Sequence, residues 1–350
     1  MPRLDTPAVY DLSTAELRDL EALLSDAAHC SPSDDPGSEA YYEQVRELAH
    51  RLPSGLRRFL RGLRSAASPP AGLIRGFGVD DAAIGPTPAH WREAAASPAA
   101  RREERWLALL GLATGEPFAW STLQRGRLIQ NMLPIAGEEV QQSGHGQVHL
   151  EWHTEDAFHP HRCDHLILLG LRNHDATGTT LASVRDVTLG AEHRAVLAQK
   201  RFHILPDEEH LRQLARNDPH SPALARMLAM RDDPEPVAVL SAAPGTGSPE
   251  HTTEGLRLRI DPCYMRCLPG DTEAGLALKH LVEELESAQQ SVALRPGEVL
   301  VVDNHRAVHG RQDFTARFDG TDRWLKKITV TGDPRRSRDL RAPAASRVIS

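Results

Sequence analysis

His149-Leu150-Glu151-Trp152-His153-Thr154-Glu155-Asp156 is the stretch on which the reading of this chain turns. His149 to Trp152 has strand texture and leads straight into His153. At a strand end or in a tight loop, side chains at i and i+2 point to the same side, so an imidazole at 153 and a carboxylate at 155 converge. Two imidazoles and one carboxylate on one face of an octahedron hold non-haem iron(II) and leave the opposite face open. The second imidazole must come from a strand distant in sequence. His309, in VVDNHRAVHGR (301–311), is the candidate. His305, His159, His161 and His165 compete for the place, although in a chain with 18 histidines each is more simply a surface or packing residue.

An open iron position needs an anionic bidentate ligand, and a 2-oxo acid with a remote carboxylate fits. That carboxylate calls for an arginine, whose planar fork of donors matches it. Arg323 lies 14 residues after His309, on the next strand candidate, with turn-forming Asp319-Gly320 between them. A hairpin of that size brings Arg323 within reach of the metal. Thr180, beside Thr179, is the candidate hydroxyl to share the same carboxylate.

Around this motif the chain reads as helices first and strands later. Ser13 and Glu16 make a capping box ahead of Leu17, Leu20, Leu23 and Leu24. Further helices are expected over 39–52, where Pro53 breaks the run, and through Trp106 to Leu110. Strands are expected at 73–77, 166–171, 256–260, 299–302 and 323–330, the fourth entered by the turn Pro296-Gly297-Glu298. Residues 188–236 carry helix and loop signals, 242–254 read as a flexible loop, and a long helix is expected over 276–290. Many short strands with few βαβ alternations point to a sandwich or barrel with added helices, a mainly β, α+β chain.

Composition narrows the class. With 350 residues, one large domain can bury a sizeable core. The expected arrangement is a single domain over 1–350: mainly helical support over 1–115, a core over 116–335 with an insertion at about 188–254, and a tail over 336–350. The net charge of −7 comes with no basic stripe, which argues against a nucleic-acid binder. MPRLDTPAVYDLS has no signal-type apolar run, and no stretch of about 18 apolar residues suits a membrane span. Cys30, Cys163, Cys263 and Cys267 form no CxxC pair, so a reduced cytoplasm fits better than a disulfide framework.

The segments WHTEDAFHPHRCDHLILLGLRN (152–173), TTLASV (179–184), VVDNHRAVHGR (301–311) and RFDGTDRWLKK (317–327) resemble the clavaminate-synthase-like group of 2-oxoglutarate oxygenases. Within it they are most similar to hydroxylases of free amino acids, notably the arginine hydroxylases of viomycin and streptothricin biosynthesis. IGPTPAHW (84–91), LQRGRL (123–128), RIDPCYM (259–265) and RSRDLRA (336–342) extend the likeness from about residue 50 to the end. The resemblance implies a double-stranded β-helix (jelly-roll) core with helical insertions. It implies iron(II) on His153, Glu155 and His309, and 2-oxoglutarate, used with O2, on Arg323 and Thr180. It also implies a substrate site: Gln124 as a contact, Asp261 facing a guanidinium, Lys327 near the substrate carboxylate, and Glu155 accepting from the α-amino group through its non-ligating oxygen. A segment within 188–254 would close over the substrate.

Two positions depart from the group. Relatives with viomycin-type chemistry carry a second carboxylate where this chain has Cys263, and an arginine where it has Lys327. Both changes bear on the substrate and leave the iron and co-substrate positions untouched. The expected activity is hydroxylation of a free amino acid, L-arginine at C3 or C4, in natural-product biosynthesis. Lysine, ornithine, capreomycidine and enduracididine are alternative substrates, and desaturation an alternative outcome. Halogenation is disfavoured because Glu155 keeps the ligand position a halide would need. A zinc hydrolase is disfavoured because no HExxH occurs. A non-catalytic jelly-roll binding protein is the rival from another class.

Overall fold

Leu166 to Leu171 is apolar at every position because its strand is sealed on both sides. In the computed structural model the strand His165–Arg172 is buried at every residue. Ile167, Leu169 and Leu171 enter a core shared with helices, while Leu166 and Leu168 enter one shared with a second sheet. A continuous apolar run is what such a strand requires. The structure describes residues 7–30, 34–65, 67–243, 245–249 and 255–350.

In chain order, β1 (Ala8–Asp11), α1 (Thr14–His29), α2 (Glu39–Val45), α3 (Ser54–Leu63), β2 (Ala71–Arg75), α4 (Asp81–Ile84), α5 (Trp91–Ala96) and α6 (Arg101–Thr114) come first. Then follow β3 (Glu116–Trp120), β4 (Gln130–Met132), β5 (Leu150–His153), β6 (His165–Arg172) and β7 (Thr179–Ser183). A segment of mixed character holds α7 (Ala191–Leu197), β8 (Phe202–Ile204), α8 (Glu208–Asn217), α9 (Pro222–Asp232), β9 (Leu240–Ala242), β10 (Leu256–Leu258) and β11 (Met265–Cys267). The chain closes with α10 (Thr272–Ala288), β12 (Gln290–Val292), β13 (Val299–Asp303), β14 (Ala307–Arg311), β15 (Trp324–Thr331) and β16 (Val348–Ile349).

Two sheets face each other. The larger runs β1-β2-β13-β6-β15-β3-β16, with β4 also on β15, and the smaller runs β12-β7-β14-β5. Leu181 and Ala307 of the smaller sheet meet Leu166, Leu168, Leu300, Val302 and Leu325 of the larger one. This is the jelly roll of an α+β chain. The outer face of the large sheet packs on α1, α3 and α6, and that of the small sheet on α7 and α10. Among the described residues, no helix is long and apolar enough to cross a membrane.

Most elements fall where the sequence placed them, and the differences have local causes. α1 carries its capping box, with the Glu16 N–H donating to Ser13 Oγ at 3.3 Å and the Ser13 N–H to Glu16 Oε2 at 2.9 Å. The helix expected over 39–52 is α only to Val45 and continues as a 3-10 turn, Arg46–Arg51. α10 starts at Thr272 rather than Leu276, because the Asp271 carboxylate accepts the Ala274 N–H at 3.0 Å and so caps an earlier turn. The expected loop over 242–254 begins one residue inside β9, which pairs with β10; residues 244 and 250–254 lie outside those described.

Strand alternation gives the two adjacent lysines of β15 opposite duties. Lys326 shares the face of Trp324, Ile328 and Val330 that meets the helices, and Lys327 shares the face of Leu325 that meets the small sheet. Lys326 Nζ lies 2.7 Å from Glu104 Oε1 of α6, and both side chains are sealed from water. Glu104 also pairs with Arg101 at 2.5 Å, and Arg101 with Asp35 at 2.7 Å. Removing one member of a buried pair leaves its partner charged and unsolvated, which typically costs about 3–5 kcal/mol. Glu104→Ala is therefore expected to lower the urea midpoint by that equivalent, whereas Glu283→Ala, which breaks an exposed pair with Lys279, should change stability by less than about 1 kcal/mol.

Candidate active site

His153 ends β5 and His309 is the middle residue of β14. The two strands are antiparallel and these residues are direct register partners. Their imidazole centroids stand 4.6 Å apart. Glu155, two residues beyond His153, brings its Oε2 to 3.3 Å from His309 Nε2. One ligand atom from each of His153, Glu155 and His309 lies within 4.8 Å of the others, the spacing of donors around one ion. The His153 Nδ1 lies 2.8 Å from the Glu151 carbonyl, which can only accept, so the Nε2 lone pair is left for a metal. Two neutral nitrogens and one carboxylate oxygen fit iron(II) by donor type and number.

The loop that carries Glu155 is tied down on three sides. Asn304, in the β13–β14 turn, accepts the Glu155 N–H on Oδ1 at 2.6 Å and donates to the Glu155 and Cys163 carbonyls at 3.0 Å each. Thr154 bonds to Ile260 in both directions, its N–H donating at 2.9 Å and its Oγ1 accepting at 3.2 Å. Asp156 adopts a left-handed φ of 53°. Its carboxylate takes the Trp120 indole N–H at 2.5 Å and faces His210 Nε2 at 3.0 Å, which links the loop to α8.

Glu155 itself is buried. Burial opposes its ionisation, yet Lys327, His309 and His153 together hold the carboxyl well below its ordinary range. Lys327 Nζ sits 2.5 Å from Glu155 Oε1. The oxygen expected to meet a substrate amine is thus held by Lys327, and an incoming ammonium has to share it.

Arg323 reaches the same cleft by a different route from the one expected. β14 lies in the small sheet and β15 in the large one, so residues 312–323 form a crossing between sheets and not a hairpin. Arg323 Nη2 lies 3.4 Å from the hydroxyl of Thr179, and its Nε has no partner. Burial, reinforced by the charge of Arg311, pulls the Arg323 guanidinium down to about 9. Thr180 is a correction. Strand alternation turns it to the other side of β7, where it pairs with Gly310, and its hydroxyl has no partner. Thr179 is the threonine that lines the cleft.

The cleft spans about 990 Å³ when the open solvent at its mouth is counted, of which about 120 Å³ is room for the centres of water-sized molecules. His153, Glu155, His309, Arg323, Gln124, Asp261 and Lys327 all line it. Gln124 is nearly sealed, and its amide is largely committed: Nε2 donates to the Asn131 carbonyl at 2.8 Å and Oε1 accepts the Asn131 N–H at 2.9 Å. Asp261 is buried, accepts the Tyr264 N–H at 3.3 Å, and is pushed above its ordinary value by burial.

Sequence reasoning missed Asp207. It sits just ahead of α8, faces the cleft, and has one carboxylate oxygen without a partner. Burial and then the neighbouring charge of Asp261 raise its carboxyl well above the ordinary range. The sequence signal was slight, an acid after Pro206 at a helix start. Asn304 was equally hidden inside VVDNHRAVHGR. The four competing histidines are engaged elsewhere: His305 with Asp164 at 2.7 Å, His159 packed on Trp120, His161 against His159 with ring centroids 5.5 Å apart, and His165 buried in β6.

The geometry has close counterparts. Residues 104–329 match the family model described as taurine catabolism dioxygenase TauD, TfdA family. The chain is 38% identical over 325 residues to the enduracididine beta-hydroxylase of Streptomyces hygroscopicus, covering 90% of this chain and 92% of that one. It is 34% identical over 310 residues to an L-ornithine/L-arginine 3-hydroxylase of Catenulispora acidiphila, covering 86% and 88%. The crystal structure of the non-heme iron oxygenase OrfP in complex with Fe, succinate and (3S)-hydroxy-L-Arg superposes with a TM-score of 0.88 at 38% identity, over 99% of this chain and 100% of that one. The same oxygenase in complex with Fe and alpha-ketoglutaric acid superposes with a TM-score of 0.83. Coverage and identity of this order leave one assignment: the chain belongs to the TauD/TfdA family of dioxygenases.

Proposed function

We propose that this protein is an iron(II)- and 2-oxoglutarate-dependent hydroxylase of a free basic amino acid, with L-arginine as substrate and C3 or C4 as the carbon oxidised. The observation that carries the reading is the pair Asp207 and Asp261. Two carboxylates, with no cation in ion-pair distance among the described residues, face the cleft that also holds the two imidazoles and Glu155. A carboxylate pair, Asp261 buried and Asp207 half-buried, calls for a bidentate cation, and a guanidinium meets both. Asp207 supplies the second acid that the chain lacks at Cys263. The relatives act on arginine, ornithine and enduracididine, all bases of similar length.

His153, Glu155 and His309 would hold iron(II), and Arg323 with Thr179 would receive the far carboxylate of 2-oxoglutarate. When bound, iron and 2-oxoglutarate would activate O2 to hydroxylate an unactivated methylene, one oxygen atom going to the substrate and the other to succinate as CO2 is lost. The protein chooses which methylene faces it. Lys327 holds Oε1 of Glu155 and thereby aims Oε2 at His309 and the metal position. It is also the cation placed to meet the substrate's α-carboxylate. Asp207 and Asp261 then grip the other end, and the distance between the two grips selects the carbon. A segment within 188–254 is proposed to cover the cleft and keep bulk water out, and Asp207 with α8 already lines it.

The deciding experiment incubates iron-loaded protein with 2-oxoglutarate and a panel of arginine, ornithine, lysine, enduracididine and neutral amino acids, with mass spectrometry for a gain of one oxygen. Product from arginine, and none from neutral residues, is expected; product only from neutral amino acids overturns the reading. Asp207→Asn and Asp261→Asn should each lower kcat/KM for arginine by about 10- to 100-fold, the worth of one charge-assisted contact. Asn304→Ala, which frees the Glu155 loop without touching a ligand, should cost about 10- to 100-fold in iron affinity, measured by titration of the apoprotein. Burial and the charge of Arg311 pull the Arg323 guanidinium down to about 9, so its charge is secure through neutral pH and weakens only on the alkaline side. The KM for 2-oxoglutarate should accordingly stay flat through neutrality and climb in that alkaline range.

A further inference from the structure

Arg311 lines the same cleft as Arg323, and the preceding reading gives it no role. It is almost fully buried, at 3% exposure. It is also the register partner of Thr179 across β7 and β14, the residue whose hydroxyl Arg323 approaches at 3.4 Å. Two guanidinium groups therefore flank one threonine. Arg311 Nη1 donates to the Ser143 carbonyl at 3.2 Å and Nη2 to the Val148 carbonyl at 2.7 Å, while Nε has no partner. Phe314 lies under it, its ring centroid 5.1 Å from Cζ. Carbonyl oxygens satisfy N–H groups but carry no net charge. Among the described residues, no carboxylate forms an ion pair with either arginine.

Asp313, outside ion-pair distance, is the acid whose charge reaches Arg311, and Arg323 feels only the repulsion of Arg311; two desolvated cations so weakly countered are a costly arrangement unless an anion completes it. One arginine suffices to bind a carboxylate by its fork. The second raises the potential where that carboxylate sits, and it penalises any ligand whose far end is neutral. We infer that Arg311 is a specificity-determining cation of the co-substrate subsite, which with Arg323 restricts the 2-oxo acid to one carrying a charged far carboxylate. This rests on the assignment of Arg323 to 2-oxoglutarate made above. The competing role, a staple holding residues 143–148 against β14, accounts for the two carbonyl bonds but not for the missing counter-ion.

The test compares 2-oxoglutarate with 2-oxovalerate, which has the same carbon chain but no far carboxylate, as co-substrates of the iron-loaded enzyme with arginine. The readout is the ratio of kcat/KM for the two within each variant, which partial loss of folded protein does not alter. Arg311→Gln is expected to lower the preference for 2-oxoglutarate by about 10-fold or more, the size of a charge interaction across a few ångströms in a partly buried site. Arg311→Lys keeps the charge and gives up the paired carbonyl bonds, and should retain most of the preference. An unchanged ratio in Arg311→Gln overturns the inference, as does a loss in Arg311→Lys equal to that in Arg311→Gln. Should Arg311→Gln fail to fold, Arg311→Lys decides alone: preference kept within about 2-fold supports the role, and loss beyond about 10-fold overturns it. Arg323→Gln separates the two levels. If it too leaves the ratio untouched, the co-substrate subsite itself is misassigned; if it alone collapses the ratio, only the role of Arg311 falls.

Discussion

A carboxylate cannot be buried alone, and Glu155 is buried. What makes this tolerable is the company arranged around it: Lys327 on one oxygen, His309 on the other, and His153 close by. These side chains arrive from three strands and one loop, so the site exists only if β5, β14 and β15 keep their register and their sheets keep their spacing. The apolar layer of Leu166, Leu168, Leu181, Leu300 and Leu325 between the sheets sets that spacing. Core packing and site geometry are in this sense one constraint.

The same logic of buried charge runs through the molecule with different outcomes. Lys326 and Glu104 satisfy each other and bind the helical layer to the large sheet. Among the described residues, neither Arg311 nor Arg323 has an anion, and neither Asp207 nor Asp261 a cation, within ion-pair distance, although the charge of Asp313 reaches Arg311. The cleft holds one closed pair, Lys327 with Glu155, beside cations and carboxyls that reach no opposite charge within ion-pair distance. An unpaired buried charge is unfavourable in the isolated protein, and its persistence is intelligible when a ligand of opposite sign completes it. The cleft carries open charges of both signs, which suits a dianionic co-substrate and a cationic amino acid held together.

The departures at Lys327 and Cys263 gain meaning from their surroundings. A lysine is a point charge, and at 327 it is engaged with the metal-side carboxylate; an arginine in its place would present a wider fork. Cys263 is exposed at the edge of the cleft, and Asp207 stands where a second acid is useful.

How much of this was legible in the sequence depends on the range of the interaction. The i, i+2 pair His153 and Glu155 could be read directly, because strand geometry is local. So could the capping box of α1, the sealed strand at 166–171 and the candidacy of His309 and Arg323. Thr179 against Thr180 could not be read from the residues alone, since a shift of one position exchanges the two faces of a strand and only the register with β14 fixes which one meets the cleft. The crossing from β14 to β15 was mistaken for a hairpin for a related reason: a turn signal marks where the chain bends and not which sheet it joins. Asn304, Asp207 and Arg311 drew no attention because their roles depend on partners far away in the chain, or on having none. Sequence by itself determined the ligand chemistry and the family of the fold; the tertiary structure decided which charges are paired, because pairing is a property of distance and burial that no spacing along the chain encodes.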